Sequence, residues 1–148
     1  MATAQDPFDL ERFVQAQDLA GTYERALAEL HRGRKSSHWM WFVFPQIAGL
    51  GSSPMAQRYA IGSLAEAVAY LDHPVLGTRL VEAAHATMVT DIGRAEAIFG
   101  SIDAIKLRSS MTLFRRADPD EPVFGKVLDR FYDGRPDPAT EELLDADG

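Results

Sequence analysis

The run His38-Trp39-Met40-Trp41-Phe42-Val43-Phe44-Pro45-Gln46 is the feature that most narrows what this 148-residue chain can become. Both tryptophans and two of the eight phenylalanines lie in it. With a period of two, His38, Met40, Phe42 and Phe44 face one way and Trp39, Trp41 and Val43 the other. With a helical period, His38, Trp41, Phe42 and Pro45 gather on one side. Either way both faces are apolar, so the run is expected to be buried. A strand would need partners for its backbone groups, and no other stretch offers a convincing β-branched run. The run is therefore expected to be helical, ending before Pro45.

The rest of the chain reads as a series of short helices. Asp9 is a candidate N-cap for a helix carrying Leu10, Phe13, Val14 and Gln17 on one face. A second helix from about Gly21 places Tyr23, Leu27, Leu30 and His31 together, and Gly33 stops it in a left-handed turn. Short helices are expected over Pro54–Ile61 and, from a capping box at Ser63-Leu64-Ala65-Glu66, through Leu71. Pro74 opens a helix with Leu76, Leu80, Ala84 and Met88 on one stripe. Ala97 to Phe99 form a turn before Gly100, and Ser101 is the expected cap of a helix to about Ala117. That helix has the polar centre Lys106 to Thr112, where a core helix would bury leucine. Val123, Val127, Leu128 and Phe131 give a clean stripe ended by Gly134, and Asp137-Pro138 opens a last, acidic helix. The expectation is an all-α fold: one domain over 1–148, compact and multi-helical, with seven to nine mostly short helices. Its core spans about 6–134, and the acidic helix 137–148 frays.

Charge and composition exclude several functions. From Asp118 onward ten acids face three bases, so the whole formal excess of seven negative charges lies there and the preceding residues balance. A nucleic-acid partner is disfavoured, although Arg32, Arg34, Lys35, Arg115 and Arg116 would supply cations if they shared a face. With no cysteine, disulfides and thiolate chemistry are excluded and a reducing compartment fits. No apolar run approaches a membrane span, and Met1 to Asp9 lacks the pattern of a secretory leader; a cytoplasmic location and no membrane partner are expected. His31, His38, His73 and His85 form no ligand pair with an accompanying acid, so no metal and no cofactor is expected.

Three groups are candidates for chemistry. The aromatic run could stack a ring on Trp39 or Trp41, with His38 and Gln46 supplying directional hydrogen bonds; core packing is the competing account, strongest for its middle. Gly51, Ser52 and Ser53 precede a helix whose amides could face an anion, though the lysine and spacing of a phosphate loop are missing. Lys106, Ser109 and Ser110 are the third group, Lys106 and Ser110 being one turn apart; they could clamp an anion or line a solvated or close-packed face. Glu96 and Asp103 flank them as expected surface acids.

These residues carry a family likeness. Lys35, the run from His38 to Gln46, Gly49-Leu50-Gly51, Ile98-Phe99-Gly100, Asp103, Lys106 and Ser109-Ser110-Met111-Thr112-Leu113-Phe114 resemble the bacterial family of unknown function numbered 1810, sometimes labelled calpastatin-like. The resemblance extends from Asp6-Pro7-Phe8 to Gly134. It implies an all-helical fold and brings no established activity. Calpastatin-type inhibition uses disordered repeats, which a compact, non-repetitive chain does not match. The resemblance also implies that the polar residues inside both motifs belong to a common pattern.

The leading expectation is a cleft between the aromatic helix and the Lys106 helix that binds a small anionic, ring-containing ligand, such as a nucleotide or ADP-ribose derivative. Lys35, Lys106 and the Gly51-Ser52-Ser53 amides would hold the anion. Trp39 or Trp41 would stack, and His38 or Gln46 would orient the ring. Whether the protein is an enzyme stays open; hydrolysis of a glycosidic or phosphoester bond is conceivable, with no nucleophile or base named. The rival expectation is a protein-interaction module without a small-molecule site, its protein partner unknown.

Overall fold

The computed structural model describes residues 6–147. Its helices are α1 (Glu11–Asp18), α2 (Thr22–Arg32), α3 (Met40–Val43), α4 (Pro54–Arg58), α5 (Leu64–Asp72), α6 (Leu76–Met88), α7 (Ala95–Phe99), α8 (Ser101–Ala117), α9 (Pro122–Tyr132) and α10 (Pro138–Asp147), with a 3-10 turn at Leu19–Gly21. Among the described residues no strand forms, and none of the helices is long and apolar enough to cross a membrane. The fold is a single all-α domain of mostly short helices.

Local chemistry sets the helix ends. Ser63 accepts the Glu66 N–H at 3.1 Å, and the Glu66 carboxylate reaches back to the Gly62 N–H at 2.9 Å. Gly33 ends α2 at φ 75°, with its own N–H and that of Arg34 closing onto Leu30 and Glu29 carbonyls. Two expected caps lie elsewhere. Asp6, rather than Asp9, receives the N–H groups of Leu10 and Glu11, and Asp9 itself is left-handed at φ 54°. Gly100, rather than Ser101, is the N-cap of α8.

The longest helix, α8, is the axis of the molecule, packed against α5, α7, α9 and α10, while α6 bridges α2, α5 and α9. Leu107, Met111, Leu113 and Phe114 are fully enclosed on it. Each such side chain contributes about 1.5–3 kcal/mol through burial. An aromatic path crosses the core from Phe124 through Phe114, Tyr70, Phe13 and Tyr59 to Phe42, with successive ring centroids 5.1–6.0 Å apart. At Gly77 a Cβ would lie 2.0 Å from the Leu71 carbonyl oxygen, so glycine is what allows α6 to start against the end of α5.

The expected helix over the aromatic run is corrected to the single turn α3. On either side the backbone is irregular, and side chains from other elements supply its partners. Glu29 accepts the N–H groups of Ser36 and Ser37, while Gln17 donates to the Phe42 carbonyl at 2.7 Å. Beyond Pro45 an isolated parallel bridge joins Ile47 to Ile61, with Ile61 N–H donating to Gln46 O at 2.9 Å and Ala48 N–H to Ile61 O at 2.8 Å. A buried segment with its backbone satisfied this way needs neither a long helix nor a sheet.

Candidate functional site

On α8, Ile102, Ile105, Lys106 and Ser109 fall at helical spacing on one flank. Facing them is the loop Leu50 to Ser53 with Gln46 behind it, and the start of α10, at Asp137 and Ala139, closes the third side. The open cleft between them measures about 480 Å³, within the range of small-molecule sites. Its apolar wall is unusual for a surface: Ile102 is 70% and Ile105 64% exposed. Gly51 allows the loop to fold back, since a Cβ there would sit 2.7 Å from that of Ala56.

Two cations share one acid beneath this cleft. Asp103 Oδ2 is 2.9 Å from Lys35 Nζ and its Oδ1 is 3.5 Å from Lys106 Nζ. Lys35 is the closer and more enclosed partner, its side chain 8% exposed against 25% for Lys106. Each ammonium also lies over an indole, Lys35 at 5.2 Å from the Trp39 ring centre and Lys106 at 5.4 Å from that of Trp41. Asp103 thus gives its closer contact to Lys35 and leaves Lys106 the looser partner, while the Asp137 carboxylate stands on the third wall of the same cleft. Asp103 is therefore an ion-pair hub rather than the solvated surface acid expected.

The sequence candidates divide on this geometry. Gln46, Gly51, Ser52, Ser53, Lys106 and Ser109 meet at the cleft. Trp41 is half-buried beside it, bordering an adjoining space of about 20 Å³ whose walls include Gln46 and Gly51. Trp39 is fully enclosed, with its indole N–H donated to Glu29 at 2.9 Å, so it offers no stacking face. Lys35 lies outside the cleft lining, closed onto Asp103. His38 is exposed and outside the cleft lining. Ser110 is fully buried within the core, where its hydroxyl has no hydrogen-bond partner among the described residues. Of the hydroxyls that do reach the cleft, Ser53 accepts the Ala56 N–H at 3.1 Å as the cap of α4, and Ser109 lies 3.2 Å from both the Ile105 carbonyl and Asp137 Oδ2.

Sequence reasoning missed Glu29 altogether. It is 2% exposed and gathers four donors: the Ser36 and Ser37 N–H groups, the Ser37 hydroxyl at 2.5 Å and the Trp39 indole. Burial alone would raise its carboxyl; the hydrogen bonds, led by Ser37, outweigh that and hold it at about 2, against an ordinary 4.5. The available signal was an acid three residues after Ala26 and next to Leu30, on the buried side of α2. Asp137 was read only as a helix start, yet it caps α10 through the Thr140 N–H and hydroxyl and also receives Ser109.

A larger hollow, about 780 Å³, lies between Asp6–Glu11 and Ala69–His73. Its size does not make it the better site. Asp6 is already engaged in starting α1, and none of the clustered polar candidates reaches it.

A family model described as "Protein of unknown function (DUF1810)" matches residues 7–144. The crystal structure of the conserved hypothetical protein Rv1873 from Mycobacterium tuberculosis is similar to this chain at 51% identity and a TM-score of 0.91, covering 95% of this chain and 99% of that one. None of the curated proteins matches.

Proposed function

The chain belongs to the DUF1810 family, and on that helical frame we propose that the cleft between α8 and the Leu50–Ser53 loop binds a small anionic, ring-containing ligand of the nucleotide type. The Lys106 ammonium, on the cleft wall and held at 3.5 Å by an Asp103 that pairs more closely with Lys35, carries this reading. An anion at Lys106 would complete the pairing that Asp103 gives mainly to Lys35. Ile102, Ile105 and Leu50 offer apolar surface for a ring, with Trp41 behind Lys106. The reading is one of binding: Ser109, the hydroxyl beside Lys106, is enclosed and already engaged. A cytoplasmic setting fits the cysteine-free chain.

Thermal-shift measurements with nucleoside monophosphates and phenyl phosphate at millimolar concentration test it. A rise in Tm that Lys106→Met removes is expected, because a ligand bound to the folded state alone stabilises it by mass action. No shift with any of these compounds, or an equal shift in Lys106→Met, would sink the proposal.

A second reading is favoured by one observation, the exposed pair Ile102 and Ile105 one turn apart, which also suits a protein partner. The two readings part on Ile105→Asn, which removes apolar surface but keeps Lys106. A ligand response that survives this change unaltered would shift weight to the interaction role.

A further inference from the structure

Among the described residues Gln46 and Ser52 are the cleft side chains left with both a donor and an acceptor to offer, and of the two Gln46 presents them side by side in one plane. Its backbone is pinned, following Pro45 and accepting the Ile61 N–H at 2.9 Å. Its side chain is half-buried, bordering both the cleft and the small space beside Trp41. Among the described residues its carboxamide forms no side-chain hydrogen bond. The neighbouring polar groups are occupied otherwise: Ser53 in capping α4, Asp137 in capping α10, Ser109 against Asp137 and Lys106 toward Asp103. The Gln46 carboxamide keeps contact with solvent, so a complementary group in the cleft would exchange water for a paired donor and acceptor.

A carboxamide presents its donor and acceptor side by side in one plane. The matching partner is a ring edge with an acceptor beside a donor, as in the amino and ring-nitrogen edge of adenine or the lactam edge of uracil. A ring held edge-on to Gln46 and face-on to Ile102 and Ile105, with its anionic group at Lys106, has the parts of a nucleoside monophosphate. We infer that Gln46 is the specificity-determining residue of the cleft and that it reads the base edge of such a ligand. This rests on the cleft reading above, but it can fail separately.

Isothermal titration of the full chain with four probes separates the two. Adenosine and uridine 5′-monophosphates carry the edge; purine riboside 5′-monophosphate has the ring without the donor, and phenyl phosphate has neither. At least one edge-bearing nucleotide is expected to bind about tenfold more tightly than purine riboside monophosphate and phenyl phosphate, one hydrogen-bonded pair being worth about that factor. Gln46→Leu should erase that preference while leaving phenyl phosphate binding unchanged. Gln46→Met serves as a second variant should Gln46→Leu fold poorly. Equal binding of all four probes by the unaltered chain overturns the Gln46 inference and leaves the cleft standing. A uniform loss across the probes in folded Gln46→Leu does the same. Absence of binding by every probe overturns both.

Discussion

At the amino-terminal end of the aromatic run, Ser36, Ser37 and Trp39 all direct donors at the buried Glu29 carboxylate, and Lys35 is closed onto Asp103 at 2.9 Å. At the carboxy-terminal end, Gln46 keeps an unpaired carboxamide, the loop after it is exposed, and Lys106 stands 3.5 Å from the same Asp103. Both ends are polar, and both lie beside a lysine resting on an indole. What separates them is completion: the first set of groups satisfies itself inside the protein, whereas the second faces a cleft with its hydrogen-bonding capacity open. Polar residues of the first kind specify the fold, and those of the second are available to a ligand.

The sharpest break of this contrast is Glu29→Ala beside Gln46→Ala. Stranding four donors at Glu29 is expected to cost roughly 3–5 kcal/mol, whereas Gln46→Ala should stay within about 0.5 kcal/mol. Urea denaturation reads both, and similar losses would erase the distinction. The pH dependence follows in sign from the lowered carboxyl. Because Glu29 titrates at about 2 when folded and at 4.5 ordinarily, its contribution is complete above pH 4.5 and is lost as the pH falls toward 2. Glu29→Gln should flatten that limb of the stability profile.

The two lysines give a smaller contrast. Lys35→Met is expected to cost roughly 1–3 kcal/mol, since Asp103 loses its closer and more buried partner. Lys106→Met should change stability by no more than about 0.5 kcal/mol and act on ligand binding instead. Equal destabilisation by the two would make Lys106 a structural residue. Smallest of all is the third wall. Arg116 joins α10 through Glu141 at 2.5 Å and Asp145 at 3.0 Å, both partly exposed pairs. Arg116→Ala is expected to cost roughly 0.5 kcal/mol, diminishing further in high salt, with faster amide exchange confined to α10.

Much of this molecule was legible in the chain. Ser63 with Glu66, Gly33, Pro74 and the Val123–Phe131 stripe act through neighbours within a turn, so spacing alone located them. The convergence of Gln46 and Gly51–Ser53 with Lys106 and Ser109 was also anticipated, from two motifs that are both rich in polar groups. Trp39 and Trp41 could not be told apart, because their fates depend on what lies across the core. Glu29 was invisible for a similar reason: a glutamate on a helix is ordinarily solvated, and nothing local announces four donors arriving from the following loop.

The sequence by itself determined that the chain is helical, where most helices begin and end, and that one aromatic run has to be buried. Those outcomes depend on periodicity, caps and the absence of any partner for a strand. Tertiary structure alone decided that the run makes a single turn rather than a full helix, that Lys35 is closed while Lys106 is open, and that Trp39 is enclosed while Trp41 lies half-buried beside the cleft. These depend on Glu29, Gln17 and Asp103, side chains that act across long stretches of sequence, and a hydrogen bond or ion pair is made by proximity in space.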